Sequence, residues 1–142
     1  MIALVACSTA AKPHIIVTLV DDLGFSSVGY NSPTHEPLTP EIDQLFKQSA
    51  QLDAHYTFKF CSPTRSSFLS GRLPLHVNQQ NHPPPMPGGG VPLGMTTVGD
   101  ILQRQGYATH HAGKWHGGYS HASLLPTHRG FNSSLAMLSG GM

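Results

Sequence analysis

The chain is poor in charge. Charged residues make up 11% of its 142 residues, and eight basic against seven acidic side chains leave a net charge of +1. Without a basic patch or excess there is no electrostatic case for nucleic acid or for an anionic membrane surface. Cysteine is nearly absent: Cys7 and Cys61 are the two present, and with Cys7 in the leader no disulfide framework is available. No apolar run approaches the length of a membrane span. The ten histidines are scattered, and none forms the His-x-x-x-His pair or Cys/His spacing of a zinc site; most are expected on the surface or in loops. No aspartate follows Asp100.

Glycine and proline, by contrast, are plentiful, with 15 and 12 copies, and imply many loops. Length suits one domain. Residues 1–11 combine a short apolar stretch with Ser8-Thr9-Ala10, a small-residue cleavage-like site, and are expected to be the remnant of a signal peptide whose basic start is missing; Leu4-Val5-Ala6-Cys7 also fits a lipoprotein box. This leader points to the secretory pathway, with an extracellular or lysosomal destination, or the periplasm in a bacterium.

His14–Val20 is a continuous β-branched run, the pattern of a strand buried on both faces of a parallel sheet. It ends in Asp21-Asp22-Leu23-Gly24, where open α/β sheets bind ligands beyond their strand ends. Two adjacent carboxylates there form either an ordinary turn or a site held by a cation. Thr39-Pro40-Glu41 opens a helix with an apolar face of Ile42, Leu45 and Phe46, running to about Ala50. Residues 51–60 read as a strand leading to Cys61. His82–Pro92 is a loop, Thr97–Gln105 a helix ended by Gly106, and Tyr107–Ala112 a short strand. From Gly117 onward the chain reads mostly as loop. The alternation implies an α/β fold, a mostly parallel sheet flanked by helices.

Two segments carry chemistry. In Cys61-Ser62-Pro63-Thr64-Arg65, Pro63 suits a first helical turn, which places Cys61 at the positive end of the helix. Arg65 lies one turn on, on the same face, within reach of the cysteine or an anion beside it. A small buried cysteine at a turn is the ordinary alternative. In Gly113-Lys114-Trp115-His116, an extended backbone would send Lys114 and His116 to one side and Trp115 to the other, where it packs.

Together these segments resemble the signatures of type I sulfatases. Cys61–Arg72 matches the cysteine signature, with Thr64 and Ser70 as hydroxyl-for-hydroxyl variations, and Gly106-Tyr107-Ala108-Thr109 through Gly113-Lys114-Trp115-His116 matches the second. Leu38–Asp43 and Leu125–Phe131 are similar to arylsulfatase B-type members. The resemblance covers His14 to the end and implies an alkaline phosphatase/sulfatase-like fold, incomplete here, with residues 12–142 as the N-terminal part of a catalytic domain. It implies that Cys61 is oxidised to formylglycine by a formylglycine-generating enzyme, and that Asp21, Asp22 and the hydrated formylglycine at position 61 are ligands of one calcium ion. Arg65 would hold the diol oxygens, Lys114 would bridge diol and sulfate, and His116 would act as general base. The substrate would be a sulfate ester, of an aryl alcohol or a carbohydrate. Alternatives are a phosphonate or phosphodiester hydrolase of the same superfamily and an inactive fragment.

Departures from the family pattern are Gly117, where many relatives carry a larger apolar residue, and the absence of the later Asp-Asn pair, histidine and lysine. The 142 residues alone are therefore expected to be inactive and poorly soluble. Asn132-Ser133-Ser134 is a sequon, used only in a eukaryotic secretory pathway.

Overall fold

A computed structural model describes residues 11–34, 36, 38–78 and 90–140. The leader reading for residues 1–10 and most of the loop expected at His82–Pro92 lie outside the described residues. The chain divides into two units, Met1–Gln51 and Leu52–Met142. No helix among the described residues is long and apolar enough to cross a membrane.

In the first unit, helix α1 spans Pro40–Lys47. Pro40 opens it, Glu41 and Asp43 sit in its first turn and Lys47 in its last, each charge complementing the helix dipole. Thr39 occupies the cap position without capping. Its hydroxyl accepts the Gly29 amide at 2.8 Å and donates to the Asp43 carboxylate at 2.8 Å, and the Tyr30 amide donates to the same carboxylate oxygen at 3.1 Å. The cap is thus spent on holding the short turn Gly29–Asn31 against α1. Of the expected apolar face only Phe46 is engaged, stacked on Tyr30 with ring centroids 3.6 Å apart, while Ile42 and Leu45 are exposed.

The run His14–Val20 departs from expectation. It forms no strand, and Ile16 is 89% exposed. A β-branched run becomes a strand only where another strand completes its hydrogen-bond ladder. The described sheet has two strands, neither of them this one. Residues 51–60 likewise form no strand.

The second unit contains helix α2, Cys61–Ser70; helix α3, Pro74–Val77; helix α4, Val98–Arg104; strand β1, His110–Lys114; and strand β2, Ser133–Met137. Helix α2 buries Ser62, Ser66 and Leu69 at i, i+4, i+7 spacing, together with Pro63. Small serines on that face let its neighbours approach closely. It stops at Gly71, whose φ of +66° is the left-handed conformation glycine adopts without penalty, and whose amide donates to the Ser67 carbonyl. The Asn78 amide group donates to the Ser62 hydroxyl at 2.9 Å, fixing the end of α3 to the start of α2. Leu69, Val91 and Trp115 form the core, with Val77, Met95, Val98, Phe131, Ala136 and Leu138 packed around them.

Strands β1 and β2 are parallel, His110 pairing with Ser133 and Lys114 with Met137. The sequence does not announce β2: Ser133–Met137 holds two serines and an alanine, and the segment reads as loop. Its entry is fixed by a reciprocal clamp. The Thr109 amide donates to the Asn132 side-chain oxygen at 2.8 Å, and the Asn132 amide donates to the Thr109 carbonyl at 2.8 Å. The asparagine of the sequon therefore has its side-chain oxygen committed to the fold. The α/β expectation holds for the second unit, a parallel strand pair packed with helices: β1 overlaps the strand expected at Tyr107–Ala112 but is shifted towards Lys114, and β2 falls in a segment read as loop.

Helix α4 begins one residue inside the expected bounds, with Thr97 and Asp100 forming a reciprocal capping box. Thr97 is fully buried, and its hydroxyl also reaches the Arg129 carbonyl at 2.8 Å. The Arg129 guanidinium in turn donates to the carbonyls of Pro92, Leu93 and Met95. Burial lowers its pKa, with nearby Asp100 opposing the shift.

Thr97→Ala removes one cap and one interior bond, and should destabilise the second unit by about 1–2 kcal/mol, whereas Thr97→Ser should keep most of the stability. Urea denaturation followed by the fluorescence of Trp115, the single tryptophan, measures both. An alanine variant with an unchanged midpoint would contradict the capping role.

Candidate active site

Helix α2 begins where the sequence placed it. Phe60 is the extended residue before the helix and offers no side-chain cap. Cys61 is the first helical residue, half-buried and in no disulfide. Pro63 is buried in the first turn, where an amide would have no helical acceptor. The Thr64 amide closes the first helical bond onto the Phe60 carbonyl at 3.1 Å, and its hydroxyl donates to the Phe58 carbonyl at 2.8 Å. Thr64 thus fixes the direction in which the chain enters the helix. The helix dipole places its positive end at the terminus where Cys61 stands.

Arg65, one turn further, donates from Nη1 to the Lys114 carbonyl at 2.6 Å. This charge-assisted bond ties α2 to the C-terminal end of β1, so Arg65 and Lys114, expected in one site, meet in the same unit. The parallel pairing continues past the strand end: the Trp115 amide donates to the Met137 carbonyl at 2.8 Å and the His116 amide to the Leu138 carbonyl at 3.3 Å. Trp115 is buried as expected, its indole nitrogen within 3.1 Å of the Gly118 and Leu124 carbonyls. A Cβ at Gly117 would lie 2.9 Å from that indole, so the residue marked in sequence as a departure fits tightly beneath Trp115.

His116 does not follow the extended backbone read for Lys114-Trp115-His116. Its φ is +48° and it is 5% exposed. The chain bends there because the strand has ended and the histidine ring is drawn inward. Asp21 and Asp22 belong to the first unit, both exposed in a turn, with Asp22 at φ +52°. Among the described residues, Asp22 and His116 are the two non-glycine residues with left-handed backbone. Such conformations gather at functional sites, and no sequence signal marks them.

His111 was not singled out, yet it lies beside this site. It packs edge-on against Trp115 and Phe131, and its Nδ1 is 3.2 Å from the Ser134 hydroxyl. Burial holds its pKa below the usual 6.5, opposed by a backbone hydrogen bond involving Lys114 and reinforced by the charge of Arg65. A separate cleft of about 420 Å³, bordered by Met95, Asp100, Arg104, His128 and Arg129, contains none of the sequence-predicted site residues.

The sulfatase family model matches residues 13–140, and so includes all six of those residues. The chain belongs to the sulfatase family. Mouse arylsulfatase J is 36% identical over 132 residues, covering 92% of this chain and 22% of the relative, and human arylsulfatase A is 35% identical over 136 residues, 92% and 26%. The crystal structure of Ps i-CgsB superposes with a TM-score of 0.78 at 34% identity, over 85% of this chain and 27% of that one. Its complex with k-i-k-neocarrahexaose gives 0.77 at 33% identity. The chain thus spans about a quarter of the length of these relatives.

The lowered His111 pKa makes stability pH-dependent. Folding favours the neutral ring, so the unfolded chain binds more protons once pH drops below 6.5. Stability from this group is complete above pH 6.5 and is lost as pH falls through the folded-state value. The thermal midpoint should therefore decrease from pH 7 to pH 5, and His111→Gln should flatten the slope. An identical slope in the variant would refute this assignment.

Proposed function

We propose that this sulfatase chain carries the nucleophile, cationic and general-base portion of a sulfuric ester hydrolase, with Cys61 acting after oxidation to formylglycine. The observation that carries the reading is the Arg65–Lys114 bond at the mouth of α2, which joins the cysteine signature to the Lys114-Trp115-His116 segment in one rigid corner.

In this reading a hydroxyl of the hydrated aldehyde at position 61 attacks the ester sulfur, the bond from sulfur to the alcohol oxygen breaks, and the proton lost by the attacking hydroxyl ends on the departing alcohol. His116 then takes the proton of the second hydroxyl. The carbonyl reforms, the bond between carbon and the sulfate oxygen breaks, sulfate leaves, and water restores the diol. Lys114 and Arg65 neutralise the sulfuryl oxygens during transfer. The bond to Lys114 leaves Arg65 with further donors for this purpose, because a guanidinium carries five N–H groups.

Asp21 and Asp22 are assigned as ligands of calcium together with the oxygen at position 61. Two adjacent, exposed carboxylates in a turn, Asp22 with left-handed backbone, offer the hard oxygen donors that calcium takes. They are fewer than its usual six to eight ligands, so water or further polypeptide would complete the shell. When bound, the ion supplies Lewis-acid polarisation of the sulfate. The alcohol is an aryl group or a carbohydrate: the curated relatives are arylsulfatases, while a solved relative is bound to k-i-k-neocarrahexaose. The partner needed beforehand is a formylglycine-generating enzyme, met along a secretory route.

Co-expression with that enzyme should replace the Cys61 thiol by an aldehyde or its hydrate, seen by mass spectrometry of the peptide spanning residues 59–65. Cys61→Ala should show no aldehyde. An intact thiol in cells that convert a control sulfatase would overturn the proposal.

A further inference from the structure

The His116 ring has a neighbour that the catalytic reading does not use. A Cβ built on Gly140 would overlap His116 Cε1 and stand 2.8 Å from both ring nitrogens. Contacts this short are not accommodated by real side chains, so the backbone of residue 140 lies directly against the imidazole. The parallel pairing brings it there. His110–Lys114 is in register with Ser133–Met137, the Trp115 and His116 amides continue onto the Met137 and Leu138 carbonyls, and the chain arrives at Gly140 two residues later. The requirement is for space rather than backbone freedom. Gly71 and Gly113 have left-handed φ with open space where a Cβ would be, whereas Gly140 is restricted by the His116 ring.

We propose that Gly140 is a positioning residue for His116, setting where the imidazole nitrogens sit by leaving no side chain on that side. The proposal rests on His116 being the general base. A base must lie within hydrogen-bond reach of the proton it takes. The inward bend at φ +48° and the 5% exposure leave the ring little room to retreat. Any side chain at position 140 pushes the ring, or the backbone carrying it, out of place. A displacement near 1 Å costs on the order of 100-fold in rate at a catalytic group.

The test uses the full chain and two readings. In the first, histidine-ring ¹⁵N signals are recorded for wild type, Gly140→Ala and the control Gly94→Ala, whose Cβ would meet open space; His116→Gln assigns the His116 signals. Gly140→Ala should move the His116 ring signals while Gly94→Ala leaves them unchanged. A glycine needed only for folding would lower stability without altering the ring's signature, so unmoved His116 signals in folded Gly140→Ala overturn the proposal. The second is a double-mutant cycle by urea denaturation. Gly140→Ala should lower the midpoint in the wild-type background, or abolish folding, and do neither in His116→Ala, where no ring remains to clash. Equal losses in both backgrounds overturn it. Neither reading depends on formylglycine, so an unconverted Cys61 would sink the sulfatase proposal while leaving this contact standing, and an additive cycle would do the reverse.

Discussion

Parallel pairing of β1 with β2 is the constraint on which the second unit depends. Five residue pairs, from His110–Ser133 to Lys114–Met137, fix the register, and two more amides carry it through Trp115 and His116. A slip of β2 by one residue would exchange its two faces. Ala136 would leave the core, Leu135 would enter it, and Gly140 would no longer lie against His116. The register is pinned at its entry by the reciprocal Thr109–Asn132 bonds and past its end by the buried Trp115. Helix α2 is then referred to this frame through Arg65, whose guanidinium finds a backbone carbonyl at the strand end.

Helices α2 and α4 were legible because their signals are local. Pro63 in a first helical turn, Gly71 after the last, and Thr97 with Asp100 at a capping box each act within a few residues, and α2 and α4 form where they predict. The sheet was legible only in part: the strand read at Tyr107–Ala112 overlaps β1, but the pairing was not legible, for the opposite reason. Ile15–Val20 has the composition of a buried strand but no ladder partner among the described residues, while Ser133–Met137 has a weak composition and a partner. Pairing between distant segments decided both, and propensity decided neither. Gly140 lay further beyond reach, since a glycine needed for space looks like any other glycine until the opposing ring is placed.

The outward face of the sheet carries a related lesson. Leu135 is 82% exposed and Met137 39%, whereas the opposite face supplies Ala136 to the core. Parallel sheets normally bury both faces, and an alternating strand places its apolar residues on the side that will be covered. The relatives are about four times as long as this chain, and this apolar side is open among the described residues. The same consideration applies to the exposed Ile15, Ile16 and Val17 of the first unit.

The two left-handed residues connect fold with chemistry. Asp22 at φ +52° and His116 at φ +48° are conformations that aspartate and histidine tolerate better than most residues, yet at a cost that a surrounding structure must sustain. At His116 the sustaining groups are identifiable: the hydrogen bond its amide donates to the Leu138 carbonyl, the anchored Trp115 beside it, and the bare backbone of Gly140 against the ring. A histidine serving only as core filler would gain nothing from this arrangement, because an ordinary strand conformation would bury an imidazole equally well. The bend instead ends the strand and turns the ring away from the extended direction, at the corner where Arg65 brings the helix of Cys61. In the proposed role of His116 as base, a ring held in one orientation before the substrate arrives would have little reorganisation left to undergo when the proton moves, an advantage that would offset the backbone strain.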